Sequence, residues 1–408
     1  MESERTVYWI WLEMIFGVSN VKLLEMVRHA GSVRDLYYTL HDSDCGLLNE
    51  RERGRLRQTD LHQAKEVLER CEKTGIGVMT WDDELYPESL RNIYNPPCVL
   101  FYRGDPTLLH REMLLTVVGT RHPSQYSKKV ADWLCTDLAR CSVILVSGCA
   151  VGLDAAAHSA AISVGMPTIG VMGCGVDYDY PAENRALKER IVRNGLLLSE
   201  YFPGTPPRGY YFPVRNRILA GVSEAVLVLE AGARSGSLIT ANLACEQGKS
   251  VFCVPPGDLF DKRYSGVVGF LRDGAYPVFN HLDVLYAFYL KYPYRLSLYD
   301  ESESSRTQDS LLFDEPRKAP PRRTVPRKSA APAEKSAAPS GMPEHALPED
   351  ATDEQRRILE SLRGGGQSID SLCLTLGLGF EQISMLLMEM EMNGWVINTE
   401  RSIYALPE

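Results

Sequence analysis

Small residues, hydroxyls and arginines gather wherever an apolar run of this sequence ends. Val117-Val118 leads into Gly119-Thr120-Arg121, and Leu145-Val146 leads into Ser147-Gly148. Val171-Met172 leads into Gly173-Cys174-Gly175 and on to "YPAENRAL", which holds Asn184 and Arg185. Leu198 leads into Ser199-Glu200 and then "PGTPPRGYYFPVRNRILAG", with Arg215, Asn216 and Arg217. The fifth exit, after 225–229, reads "EAGARSGSLIT" and supplies Ser235, Gly236, Ser237 and Thr240. A turn of this kind, opening a helix, offers free backbone N–H groups to an anion at the positive end of the helix dipole.

One such turn is ordinary punctuation. Five of them, with Arg121, Arg185, Arg208, Arg215, Arg217 and Arg234 among them, point to a polyanion, or to a phosphate with something attached. Neither the dinucleotide G-x-G-x-x-G nor the P-loop spacing occurs, so NAD and ATP are not indicated and no cofactor is expected. Tyr178, Tyr180, Tyr201, Tyr210, Tyr211 and Phe212 accompany the charges. Backbone donors beside ring faces describe a single-stranded nucleic-acid site, where each stacked base contributes ~1–3 kcal/mol. The same rings also read as core.

Acid–base candidates are fewer. Asp154 and His158 lie four residues apart on one helix face, able to share a metal or a proton. With no third ligand in view, a helix-start carboxylate bonded locally is the preferred reading, and no metal site is expected. Asp177 and Asp179 read as a solvated turn. Glu200 and Glu230 end strands facing the groove, either to receive base amino groups or to hold arginines such as Arg217 in place.

The elements that must position these residues follow from pattern. Short apolar runs at 114–118, 143–146, 168–172, 196–198, 225–229 and 251–254 alternate with helical stretches. Alternation of this sort implies an α/β domain, a parallel sheet with helices on both faces and its ligand edge at the carboxyl ends of the strands. Residues before about 82 read as helical, with apolar steps at Leu23, Leu24, Met26 and Val27. "FGVSN" at 16–20 resembles the turn of a helix–hairpin–helix or SAM-like module, which can hold a DNA phosphate, or an ordinary helix connection.

Between about 300 and 350 the segment "EPRKAPPRRTVPRKSAAPAEKSAAPS" is too poor in apolar surface to fold, and reads as a linker. Beyond it, Thr352 and Gln355 form a capping box, helices follow near 368–376 and 380–393, and "WVINTERSIYAL" reads as a hairpin, together a winged helix. Its third helix carries Glu381, Glu389 and Glu391 without Lys or Arg, which favours protein contact over DNA reading. The expected domains are thus 1–82, 83–290, a linker 291–350 and 351–408.

At 408 residues, several domains are expected. Composition is that of a soluble globular chain, 44% hydrophobic and 24% charged; a net charge of −9 excludes a wholesale basic coat but not a local basic groove. The ten cysteines include no C-x-x-C pair, and the first residues show neither signal peptide nor membrane span. Reduced thiols and a cytoplasmic location are expected, with no membrane contact.

Taken together, "VVGTRHPSQYS", "VSGCAVGLDAAAHSAAI", "GCGVDYDYPAENRALKERI", "LLSEYFPGTPPRGYYFPVRNRILAG" and "LEAGARSGSLITANLACEQGKSVFCVPPG" resemble the DNA-processing protein A (DprA/Smf) family over about 85–285. The resemblance implies an extended Rossmann-like doubly wound sheet between a SAM-like domain and a winged helix. It implies a non-enzymatic homodimer that binds single-stranded DNA and loads the RecA recombinase during natural transformation. By motif, the implied phosphate- and DNA-binding residues are Gly119, Thr120, Arg121, Ser147, Gly148, Asn184, Arg185, Arg215, Asn216, Arg217, Ser235, Gly236, Ser237 and Thr240. The chain departs from the family pattern at Val151, Tyr211, Val214 and Val268, two of which replace basic residues, so a weaker or differently tuned groove is implied.

Two rival readings stand beside this one. The sheet also resembles nucleotide phosphoribohydrolases of the lysine-decarboxylase-like (LOG) type, which place a glutamate shortly after the Gly-rich turn. Here no carboxylate follows Gly236 before Glu246, over two helical turns away, which disfavours hydrolysis. The other rival is an interaction hub that binds no DNA, in which neutralising the Arg121 turn would have no consequence.

Overall fold

The computed structural model describes residues 2–42, 48–292, 352–363, 365, 367–376, 383, 386, 387, 390, 395–399 and 403–405. The chain divides into two compact units, 1–314 and 315–408.

The first unit begins with helices α1 (Glu2–Phe16), α2 (Val21–Ala30), α3 (Val33–His41), α4 (Glu50–Gln58) and α5 (Leu61–Lys73). Local sequence sets their starts: the side chains of Asn20, Ser32, Asn49 and Asp60 cap α2 to α5, the last two as capping boxes. Trp9, Trp11, Leu12 and Ile15 of α1 are buried at the centre of this helical layer. The indole N–H of Trp9 donates to Asp82 Oδ1 at 2.7 Å and that of Trp11 to the Thr59 carbonyl at 3.1 Å, so both large rings are buried without an orphaned polar atom.

The chain then builds a nine-stranded sheet. In order come β1 (Gly77–Thr80), α6 (Glu88–Arg91), β2 (Val99–Gly104), β3 (Leu114–Val118), α7 (Gln125–Arg140), β4 (Ile144–Ser147), α8 (Leu153–Ser163), β5 (Thr168–Val171) and α9 (Arg185–Asn194). There follow β6 (Leu196–Ser199), α10 (Tyr211–Val222), β7 (Ala225–Val228), α11 (Ser237–Glu246), β8 (Ser250–Cys253), α12 (Ser265–Arg272), β9 (Tyr276–Pro277) and α13 (His281–Lys291). The spatial order is β1-β2-β6-β5-β4-β3-β7-β8-β9.

Strands β3 to β9 are mutually parallel, and each of the six apolar runs becomes one of β3 to β8. All five residues of β3 are buried, as a strand covered on both faces requires. Three strands go beyond the sequence reading: β9 extends the parallel edge past β8, and β1 and β2 add to the β6 edge antiparallel. All three lie outside the strand–helix alternation between 114 and 254 by which the six runs are read. Through β1 the helical layer and the sheet share one body, and their joint core runs from Trp9 to Val99 and Phe101.

The switch of winding falls between β3 and β7. Strands β4 to β6 lie to one side and β8 and β9 to the other, which opens a crevice at the carboxyl ends of β3 and β7.

In the second unit, α14 (Asp353–Leu362) starts at the expected Thr352–Gln355 capping box. Then come β10 (Gln367–Ser368), α15 (Ile369–Leu376), β11 (Ile397–Thr399) and β12 (Ile403–Ala405), forming a sheet of order β10-β12-β11. Leu359, Leu362, Leu372 and Val396 share its core. The expected hairpin is therefore present. The linker segment 300–350 and Glu381, Glu389 and Glu391 of the expected third helix lie outside the described residues.

Candidate nucleic-acid interface

At the β3/β7 crevice sits a cleft of about 320 Å³. The turn after β3 contributes Gly119, Thr120 and Arg121; α10 contributes Phe212, Arg215 and Asn216; the turn into α11 contributes Ser235, Gly236, Ser237 and Thr240. Nine of the fourteen expected residues therefore meet here. Two further depressions continue from it, one lined by Gly148, Val151 and Gly173, the other by Tyr180, Arg208 and Gly209. Arg121 and Phe212 line all three, which joins them into one groove along the sheet edge.

Local structure explains the openness. Helices α8, α9, α10 and α11 all begin without a side-chain cap, leaving first-turn N–H groups to find other partners. Gly152, at φ 88°, lets the start of α8 lie against the Gly-Thr-Arg turn: a Cβ there would sit 2.5 Å from the Thr120 carbonyl oxygen. The Leu153 N–H donates to that same oxygen at 3.2 Å. Nearby, Ser235 and Ser237 share a hydroxyl bond of 2.7 Å, and the Asn216 amide donates to the Gly236 carbonyl at 3.3 Å.

A cation–aromatic stack forms the wall. The Arg121 guanidinium lies 5.6 Å from the Phe212 ring centre, Arg215 lies 5.9 Å from it, and Tyr180 is 5.6 Å from Phe212 ring to ring. Arg121 is exposed and has no acidic partner among the described residues. Arg215 is buried: it donates to the carbonyls of Gly148, at 3.0 Å, and of Val171, and faces Asp154. Its close pass explains Gly148, where a Cβ would lie 2.7 Å from both the Arg215 guanidinium and the Asp154 carboxylate.

Asp154 accepts from the backbone N–H groups of Gly148 at 3.1 Å and Ala150 at 3.4 Å. The Ser-Gly turn therefore already holds an anion, the protein's own. Burial pushes Asp154 up to about 6, against the pull of Arg215 and of those N–H groups. Its expected helix mate His158 turns elsewhere, bonding through Nδ1 to the Thr168 hydroxyl at 2.8 Å, with Cys149 Sγ 3.6 Å from Nε2. That Cys–His pair went unforeseen. Burial holds the thiol up at about 12 and the imidazole down at about 3, so the pair is neutral and unlike an activated nucleophile. No group of three or more His, Cys, Asp or Glu able to hold a metal exists among the described residues. The eight cysteines whose side chains are described are all free.

The other expected residues sit outside the cleft. Ser147 is buried and donates from its hydroxyl to the Val117 carbonyl at 2.7 Å, tying β4 to β3. The Asn184 amide braces the loop before α8 through the carbonyls of Cys149 and Ala150, both at 3.0 Å. Arg185 is exposed and paired with Asp179 at 3.2 Å. Arg217 points the other way from α10, toward Glu200 and the Asn95 carbonyl.

Glu200 thus holds an arginine, and it also accepts from Ser19 N–H of the "FGVSN" turn at 3.2 Å. That N–H is committed to a carboxylate within the fold. Beside it, burial and Glu200 raise Glu13 well above the usual carboxylate range. Glu230 accepts instead from the Ser124 N–H at the start of α7, at 2.9 Å. Of the six rings expected beside the charges, Phe212 and Tyr180 line the groove, although neither is among the residues implied by motif.

Residues 77–289 match the family model of DNA recombination-mediator protein A, and residues 342–398 match the DprA winged helix domain. DNA processing protein DprA of Bacillus subtilis strain 168 is 41% identical over 218 residues, which span 53% of this chain and 73% of that one. The protein of that name from Streptococcus pneumoniae R6 is 42% identical over 206 residues, 50% of this chain and 72% of that one. The X-ray structure of DNA processing protein A from Streptococcus pneumoniae superposes with a TM-score of 0.61 at 33% identity, covering 69% of this chain and 97% of that one. With the motifs in order along one sheet edge and the family model spanning more than half of the sequence, the chain belongs to the DNA recombination-mediator protein A family.

Proposed function

We propose that this chain binds single-stranded DNA without sequence preference along the carboxyl edge of its sheet, protects incoming strands and hands them to the RecA recombinase. The observation that carries the reading is the groove through three depressions with Arg121 and Phe212 common to all. Arg121 and the uncapped helix starts meet phosphates, while Phe212 and Tyr180 offer faces to unstacked bases. Gly119, Thr120, Arg215, Asn216, Ser235, Gly236, Ser237 and Thr240 shape the cleft. Gly148, Ser147, Asn184, Arg185 and Arg217 act by holding its walls.

The mechanism is capture and hand-over, with no bond made or broken. Asp154 is the one carboxylate on the cleft lining among the described residues, and it is engaged by backbone N–H groups, which leaves hydrolysis of a nucleotide without a ready acid. The family resemblance adds a homodimer and a cytoplasmic setting, with domains at 1–82, 83–290 and 351–408 and a linker at 291–350. No described helix is long and apolar enough to cross a membrane.

The test is fluorescence anisotropy of labelled poly-dT, with unlabelled single and double strands as competitors. Single strands should compete far better than duplex, and Phe212→Ala should lose ~1–3 kcal/mol of affinity, the value of one stacked base. Equal competition by duplex, or full affinity in Phe212→Ala, would place binding outside this groove.

A further inference from the structure

Beyond β8 the chain leaves the sheet on the same carboxyl edge as the cleft, because β8 runs parallel to β7 and β7 to β3. Residues 254–264 form a loop there that abuts the 231–237 turn of the cleft. The Gly266 N–H donates to the Ala231 carbonyl at 2.9 Å, and the Ala233 N–H donates to the Ser265 hydroxyl at 3.0 Å. On its other side the Tyr126 hydroxyl, from the start of α7, donates to the Pro255 carbonyl at 3.1 Å.

Hydrogen bonds within the loop hold its tip in one shape. Asp258 Oδ1 accepts from the Phe260 N–H at 2.9 Å, and Asp261 Oδ1 accepts from the Arg263 N–H at 2.9 Å. The consequence is unusual for apolar side chains: Leu259 is 75% exposed and Phe260 94%. A ring held in water by an ordered turn, on the rim of a groove, is a recognition feature rather than a packing residue. Cations flank it. Lys262 and Arg234 are exposed without an acidic partner among the described residues, and Lys129 shares the α7 face of Tyr126. Arg263 is paired with Asp261 and cancels it.

We infer that Phe260 is a base-stacking platform for the strand as it leaves the cleft on the β8 side, with Lys262 and Arg234 taking the adjacent phosphates. This rests on the single-stranded DNA reading and extends its path by one strand of the sheet. Continuity with the cleft and the unpaired cations favour a nucleic acid over a protein segment as the occupant, and any base offers the ring a face.

The experiment measures anisotropy of poly-dT strands of about 6 and about 15 nucleotides, lengths that bracket a short and an extended site. Wild type, Arg121→Ala, Phe260→Ala and Lys262→Gln are compared. Phe260→Ala should weaken the longer strand about tenfold and leave the shorter one unchanged, with an unaltered salt slope. Lys262→Gln should lower the salt slope on the longer strand by ~0.7. If Arg121→Ala loses both lengths while Phe260→Ala and Lys262→Gln match wild type on both, the inference is overturned and the tip is left to a protein partner. If Arg121→Ala loses neither, the single-stranded DNA reading of the cleft fails first.

Discussion

The helices of residues 2–73 and those that open at the carboxyl edge of the sheet finish their ends in opposite ways. Helices α2 to α5 are each capped by a side chain, and nearby charges are paired, as in Lys22–Glu52 and Arg5–Asp83. Helices α8 to α11 start uncapped, and Arg121 and Arg234 stand there without acidic partners among the described residues. The first region caps its helices and pairs its charges; the second leaves Arg121 and Arg234 uncommitted to any acid among the described residues. Where a fold stops satisfying itself is where a ligand is expected.

Arg217 breaks the comparison if it belongs to the groove, and its loss should have the largest effect on the fold. Arg217→Ala leaves Glu200 and Glu13 buried without their cation, a change expected to cost about 3–5 kcal/mol in urea unfolding. An Arg217→Ala protein of wild-type stability that loses only DNA binding would move this arginine into the site.

The next effect is acid sensitivity beneath the groove. Burial, reinforced by Arg215, holds His158 down at about 3, whereas the unfolded chain takes up that proton near pH 6.5. Stability from this group is therefore present above about pH 6.5 and lost as pH falls toward 3. Asp154, raised to about 6, acts in the opposite sense, and its contribution is lost as pH rises from about 4 to about 6. In thermal melts His158→Gln should lose the acid-side decline and keep the weaker Asp154 trend. An unchanged decline would assign it elsewhere.

The smallest effects sharpen the contrast most cleanly. Ser32→Ala removes the α3 cap and should cost about 1 kcal/mol of stability with no change in DNA affinity. Gly236→Asp enters open space, with no atom within 4 Å of its Cβ, so stability should change by less than about 0.5 kcal/mol. The new carboxylate at the start of α11 should nonetheless repel the strand and lower affinity in a salt-dependent way.

The sequence showed the parallel core and the cleft because both are written locally. A continuous apolar run such as 114–118 names a strand buried on both faces, and Gly-Thr-Arg or Ser-Gly-Ser names the turn after it. What it hid depends on tertiary packing. Arg215 and Arg217, two residues apart on α10, face opposite ways, one to Phe212 and the other to Glu200, and which of the two faces meets the groove is settled only by packing. Ser147 and Gly148 read as anion donors until Asp154 is seen to occupy the Gly148 N–H. The "FGVSN" turn likewise finds its anion in Glu200. β2 escaped because its partner β6 lies about a hundred residues further on, and β1 with it because β1 pairs only with β2.

The central claim, that the open edge captures a polyanion through Arg121, is tested most directly by poly-dT anisotropy at two salt concentrations in wild type and Arg121→Ala. The account expects tight, salt-sensitive binding by wild type, a loss of at least about tenfold in the variant, and a log–log salt slope lower by ~0.7 for the one phosphate contact removed. Equal affinity and equal slope in the two proteins would contradict it and move the DNA to another part of the chain.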